Sequence, residues 1–292
     1  MALALGNWSA LASMPGMDDA EFARWAALLE KRTGVVVPAA RKAFLVTSVR
    51  GRMRETGHLS FEDYYRHLQG GAEGAIEWTT LVDRLTVHET HFFRHAPSFE
   101  LIEREWLPKV AVAGAGGTLH AWSVGCATGE EAYTLAMVLD RYLGGVAGNR
   151  MYFGVTATDV SQPALAVGRG GLYPRGKLEE IPAALRERYV DLIDSDTFGI
   201  NESLRKRVGF AQFNLLDVAR APLKRLDLIY CQNVLIYFAR ERRRELLAAL
   251  AGLLKPGGLL VLGPGEVTQF ALPQLSRVPH RQALAFLRNH DK

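Results

Sequence analysis

Apolar and polar positions along the chain follow two rhythms, and the change falls near residue 87. From Asp18 onward, Phe22, Trp25, Ala26 and Leu29 recur at three- and four-residue spacing, which predicts a helix ended by Gly34. A second helix is predicted over 38–57, with Leu45, Val49 and Met53 as its core stripe. Ser60 followed by Asp63 resembles a capping box opening a third helix over 61–68, which Gly70 and Gly71 stop. A fourth covers 76–85. The spacing thus predicts an all-helical domain over 1–86, with the first ~16 residues loose.

Beyond residue 96 short apolar runs alternate with helical patterns. Strands are predicted over 118–124, 151–156, 226–230 and 258–262, and helices over 130–142, 162–167 and 240–254. This grammar predicts an α/β domain over 87–292, a doubly wound and mostly parallel sheet of Rossmann type covered on both faces. Residues 277–278 and 283–287 suit a closing antiparallel hairpin. About 170–213 interrupts the alternation and reads as an insertion, with a helical piece at 182–189 and a strand-like piece at 206–213. Insertions near the carboxyl edge of an open sheet often help form substrate surfaces.

Composition changes this picture little. Of 292 residues 48% are hydrophobic and 23% charged, ordinary for a chain with a proper core. The net charge of +4 does not by itself imply nucleic acid. Its distribution says more: no acidic residue lies between Glu30 and Glu55, where Arg41, Lys42, Arg50, Arg52 and Arg54 fall. The amino terminus lacks the pattern of a secretory signal, no apolar run reaches the ~20 residues of a membrane span, and the two cysteines make no disulfide framework. A cytoplasmic protein without direct membrane insertion is expected. Cys126 and Cys231 read as buried small hydrophobes.

Four short stretches carry candidate chemistry. The turn Val124-Gly125-Cys-Ala-Thr-Gly129-Glu130-Glu131 follows a strand and opens a helix. Such a turn suits a nucleotide or simply tight strand-to-helix packing. Two glutamates at a helix start would repel a pyrophosphate, which favours a cationic or neutral nucleoside and disfavours a dinucleotide. Asp159 ends the second strand, where a carboxylate suits a ribose diol or caps the following helix. Asn214 reads as a turn residue; Asn233 follows a buried strand, with Tyr237 four residues on. His88, His91 and His95 have the spacing of a helix face, but with only Glu89 beside them a zinc site is not expected. The run from Arg240 to Glu245 reads as a solvated helical face.

The order Glu-Thr-x-Phe-Phe-Arg (89–94), Gly-x-x-x-Gly-Glu-Glu (125–131), Ala-Thr-Asp (157–159), Asn-Leu-Leu (214–216), Asn-Val-x-Ile-Tyr-Phe (233–238) and Leu-Lys-Pro-Gly-Gly (254–258) resembles CheR-type chemotaxis receptor methyltransferases from Asp18 to the end. The resemblance implies S-adenosylmethionine as cofactor, S-adenosylhomocysteine as product, and methyl esterification of glutamate side chains on cytoplasmic helices of membrane chemoreceptors. It implies a cofactor site lined by His88, Thr90, Arg94, Gly125, Glu131, Asp159, Asn214, Leu215, Gln232 and Asn233. Arg94 and Tyr237 are the implied catalytic pair, facing the reacting methyl group. His88 stands where many relatives carry Asn, Gln232 where many carry Arg, and Ser48 where relatives use an arginine.

Arg50 and Arg54, one turn apart, are the implied docking residues for an acidic receptor helix. The insertion lacks the glycine-rich turn of relatives that grip a receptor tail peptide, so no tethering is expected. Neither a metal nor a nucleic-acid partner is expected, and the protein should act as a monomer recruited to receptor arrays. The competing readings are a methyltransferase acting on RNA or a small molecule, and a non-catalytic module that senses S-adenosylmethionine.

Overall fold

A computed structural model describes residues 16–113, 117–145, 151–267 and 271–290. The expectation of loose residues at the amino terminus falls almost wholly outside them. The chain divides into two compact units, Met1–Val87 and His88–Lys292.

In the first unit, helix α1 (Asp19–Thr33) opens on a capping box between Asp18 and Glu21 and ends at Gly34, which has φ of 78°. Helix α2 (Lys42–Thr56) follows a 3-10 turn at Ala39–Arg41 and ends at Gly57. Ser60 caps α3 (Phe61–His67), and α4 (Gly71–Leu85) begins one turn before its apolar stripe does. Leu45, Val49 and Met53 enter one core with Trp25, Tyr64 and Leu81. Glu77 is buried there, accepting from Arg52 Nε at 2.8 Å and from the Tyr64 hydroxyl at 2.5 Å. Burial raises its carboxyl, yet the hydrogen bonds from Arg52 and Tyr64 outweigh burial and hold it below the usual range.

The second unit opens with α5 (Ala96–Leu101) and α6 (Leu107–Ala113), joined by a π-helical stretch, Ile102–Trp106. This region escaped the periodicity reading. Its buried pairs, Leu101 with Trp106 and Ile102 with Leu107, recur at five residues, the π-helical spacing.

Next come β1 (Thr118–Val124), α7 (Glu130–Gly145), β2 (Tyr152–Asp159) and α8 (Gln162–Gly170). After the insertion follow β6 (Val208–Gln212), β7 (Leu226–Cys231), α11 (Arg240–Leu253), β8 (Leu254–Leu262), β9 (Leu275–Arg277) and β10 (Leu284–Arg288). The sheet order is β6-β2-β1-β7-β8-β10-β9. β6, β2, β1, β7 and β8 are parallel, and β10 runs antiparallel between β8 and β9. This is the doubly wound α/β sheet expected, with its switch point between β1 and β7, where ligands bind beyond the strand ends.

Side chains alternate across it. Leu119, Ala121, Leu228 and Tyr230 join the core beneath α5–α7, whereas Trp122, Val124, Ile229 and Cys231 join the core beneath α11. Both faces are therefore covered, as unbroken apolar strands require. The thiols divide likewise, Cys126 in the first core and Cys231 in the second, and burial pushes both well above their ordinary range.

The insertion is smaller than the sequence suggests. Residues 208–212 pair in parallel with β2, from Val155↔Val208 to Asp159↔Gln212, and so belong to the main sheet. The excursion itself comprises β3 (Leu172–Pro174), a 3-10 turn (Arg175–Glu180), α9 (Ala183–Tyr189), β4 (Val190–Leu192), β5 (Thr197–Ile200) and the short α10 (Glu202–Arg205). Its strands form a separate antiparallel sheet, β3-β5-β4. Asp194 takes the place of a glycine turn between β4 and β5, its Oδ1 accepting from Asp196 N and Thr197 N at 2.8 Å each.

Candidate functional site

The site grows from the ends of β1, β2 and β7. Gly125 turns the chain at φ 67°, and its N–H and that of Cys126 donate to the Thr158 carbonyl at 2.8 and 3.0 Å. A Cβ on Gly125 would stand 2.4 Å from Val234 Cγ2, so the turns after β1 and β7 pack directly on one another. Ala127, also left-handed at φ 47°, donates its N–H to Asp159 Oδ2 at 2.9 Å. Asp159 Oδ1 accepts from Ser161 N at 2.9 Å. The cap of α8 is Ser161, not Asp159, since its hydroxyl accepts from Ala164 N. Asp159 instead ties two turns together, and each of its oxygens retains a lone pair.

The two glutamates of the turn diverge. Glu130 is buried and paired with Lys177 of the insertion, while its Oε2 accepts from the Thr128 hydroxyl at 2.7 Å. Glu131 is half-buried as a residue, but its carboxyl end is enclosed. Burial pushes that carboxyl up to about 8, against a 2.7 Å hydrogen bond from the Ser123 hydroxyl and the pull of Arg94. A carboxyl in that condition gains from a cation beside it.

Segment 88–95 has no helical form, so His88, His91 and His95 do not share a helix face. His91 Nδ1 bonds Glu180 at 3.0 Å and His95 Nδ1 bonds the Ser98 hydroxyl at 2.8 Å. Phe92 buries its ring edge-on to Tyr173, centroids 5.0 Å apart, and 6.0 Å from Phe198 of the insertion. Phe93 points elsewhere, its ring 5.7 Å from Phe99 and its N–H donating to Thr134 Oγ1 at 3.1 Å. Anchoring consecutive rings in different places sets Phe93 at φ 55°, a strained conformation for such a residue. Arg94 emerges exposed, with Nη1 donating to the Glu89 carbonyl at 2.7 Å and the guanidinium near enough to Glu131 to act on its carboxyl.

Elsewhere the expected residues have defined partners. Gln232 is buried, its Nε2 donating to Ser98 Oγ at 2.8 Å and to the Leu262 carbonyl at 3.2 Å, so the amide nitrogen is committed inward. Asn233 is left-handed at φ 60°. Asn214 caps a 3-10 turn, Leu215–Arg220, by accepting from Leu216 N, and Leu215 is buried. Tyr237 ends the 3-10 turn Leu235–Tyr237, half-buried against the second core.

Sequence reasoning missed Glu266. Its Oε1 accepts from Val234 N at 2.8 Å and Leu235 N at 2.9 Å, and its Oε2 from Gly263 N at 2.6 Å, stapling the loop after β7 to that after β8. Burial raises its carboxyl even so. An acidic residue closing Gly263-Pro-Gly-Glu266 just past an apolar strand was the available signal.

Residues 88–282 match the CheR methyltransferase SAM binding domain, and residues 20–86 the CheR methyltransferase all-alpha domain. The chain belongs to the CheR methyltransferase family. It is 33% identical to chemotaxis protein methyltransferase 1 of Pseudomonas aeruginosa, over 85% of this chain and 90% of that one. It is 30% identical to the chemotaxis protein methyltransferases of Escherichia coli, over 91% of each chain, and of Borreliella burgdorferi, over 84% of this chain and 87% of that one. The CheR chain described here is therefore an S-adenosylmethionine-dependent methyltransferase. The acidic donor set at the switch point, Glu131 above all, fits that cofactor's cationic character.

Proposed function

We propose that this methyltransferase esterifies glutamate side chains on the cytoplasmic methylation helices of membrane chemoreceptors, acting in the cytoplasm at receptor arrays. When bound, S-adenosylmethionine supplies an already activated methyl group on a sulfonium. Glu131 and Asp159 hold the cofactor's cationic and ribose groups, with Gly125, His88, Thr90, Asn214, Leu215, Gln232 and Asn233 lining the remainder. Glu131 answers its positive charge; Asp159 offers the lone pairs left free by the two turns it ties.

The acceptor glutamate is ionised at neutral pH, its ordinary pKa being about 4.3, so no strong general base is needed. The residues have to align it instead. Arg94 presents a guanidinium with one N–H used on Glu89, leaving donors for a carboxylate, and Tyr237 offers a hydroxyl. Catalysis is then by positioning. The observation that supports this reading is the exposed Arg94, tied at Nη1 to the Glu89 carbonyl and charged on its remaining N–H groups, with Glu131 among the carboxyls that feel its charge.

Substrate docking falls to the basic helix α2. Arg54 is exposed; Arg50 is half-buried with its guanidinium 5.8 Å from the Phe61 ring; Arg52 is taken up by Glu77 and Glu55. Arg54 is thus the more available of the two docking arginines, and binding should weaken with salt.

Incubation with labelled S-adenosylmethionine and receptor-containing membranes tests the whole reading. Label released by mild alkali supports it. Label stable to alkali, or transferred to nucleic acid, would sink it.

A further inference from the structure

The insertion does more than stand beside the sheet. Its 3-10 turn, Arg175–Glu180, faces the segment that carries Arg94. Residues three apart in a 3-10 helix eclipse one another, so Lys177 and Glu180 share one side of that turn. Together they grip three consecutive residues. Lys177 Nζ donates to the Thr90 carbonyl at 3.1 Å, and Glu180 accepts from His91 Nδ1 at 3.0 Å and from Phe92 N at 2.8 Å.

The Lys177 ammonium is itself fixed by an ion pair with Glu130, which is 1% exposed at the start of α7. Tyr173 of β3 continues the contact, donating its hydroxyl to the Thr128 carbonyl at 2.8 Å while its ring meets Phe92. One side chain of the insertion thus binds both the cofactor-side helix start and the segment leading to Arg94. The strained backbone of Phe93 lies between that grip and Arg94, and strain of this kind persists only where surrounding contacts over-determine it.

We propose that Lys177 and Glu180 are positioning residues for methyl transfer, holding 90–92 so that Arg94 meets the acceptor carboxylate. This rests on the reading that Arg94 aligns that carboxylate. It adds a role for the insertion in the rate of the reaction, separate from any receptor segment the small sheet takes.

The test uses the full chain with Lys177→Met and Glu180→Gln, and with Lys206→Ala as control, since Lys206 forms an exposed i,i+4 pair with Glu202 on the surface. Lys177→Met should lower kcat roughly ten- to hundredfold with KM for receptor unchanged, because a misplacement of about 1 Å costs that much. Glu180→Gln keeps size and one acceptor but sets an NH2 against a donor, and should lose roughly tenfold in kcat. Amide hydrogen exchange over 88–95 should quicken in both, and the control should match wild type in both measurements.

Wild-type kcat in a folded Lys177→Met and in Glu180→Gln overturns the proposal, and so does unchanged exchange of the segment. If Lys177→Met does not fold, Glu180→Gln decides alone by the same two readouts. Exchange is read without turnover, so a wild-type enzyme that forms no alkali-labile ester strikes the proposed reaction, while the grip is still judged by exchange.

Discussion

The turn after β1 and the segment 88–95 reach the same end of the molecule by opposite means. The first is made by its own backbone. Gly125, Ala127 and Gly129 all lie at positive φ, and their neighbours' amides close on the last residues of β2. The second is made by borrowed groups, with Lys177, Glu180, Tyr173 and Phe198 of the insertion on one side and Thr134 and Phe99 on the other. Three left-handed residues in five shape the first, with the Asp159 carboxylate as a side-chain tie. A single one, Phe93, requires a scaffold of distant side chains. Glycine makes a bend at no steric cost; a phenylalanine in the same basin has to be held.

Four tests sharpen this contrast. The largest effect belongs to Arg94→Ala, which should reduce kcat by roughly a hundredfold or more while leaving the thermal midpoint near wild type, since the side chain is exposed. Near-normal turnover would remove Arg94 from the chemistry.

Gly125→Ala attacks the self-made turn and should cost roughly 2–4 kcal/mol of stability, from the left-handed backbone and the collision with Val234. Denaturant titration measures it. Adding Val234→Ala should recover only the steric part, so full recovery would show that φ at this position matters little.

Glu266→Gln should cost about 1–3 kcal/mol by leaving a donor unmatched among the amides that Glu266 holds. The same titration checks it, and no change would mean that the staple is redundant.

The smallest effect concerns Glu131 and pH. A carboxyl raised to about 8 is mostly protonated at pH 7, and a cationic ligand beside it pulls the value down. Uptake of S-adenosylhomocysteine, whose ammonium remains, should therefore release close to one proton at pH 7 and strengthen as pH rises towards about 8. Without ligand the sign reverses for folding: an acid raised above its unfolded value removes stability as pH climbs from about 4.5 to about 8. Calorimetry in buffers of differing ionisation enthalpy reads the proton, and Glu131→Gln should abolish its release.

The same contrast explains what could be read beforehand. The β1 turn was legible because its geometry demands glycines at fixed spacing after an apolar strand. The helices of the first unit were legible because Asp18, Ser60, Gly34 and Gly57 sit at their caps. The α5–α6 region was not, since its π-helical stretch changes the period from 3.6 towards five. Nor was β6, whose partly exposed face resembles an excursion more than an edge strand. Arg94 came from resemblance, not periodicity. Lys177 and Glu180 carry no local pattern at all, because the groups they hold lie 87 to 89 positions away.

The division of the two thiols between opposite faces of the sheet has a practical consequence. Both are free and buried, and neither offers a ready thiolate to alkylating reagents in the folded state. A single cysteine engineered onto the surface, on the insertion for example, would carry a fluorophore or spin label without background from the native pair. The wild-type protein is in that sense already a cysteine-silent host for spectroscopy.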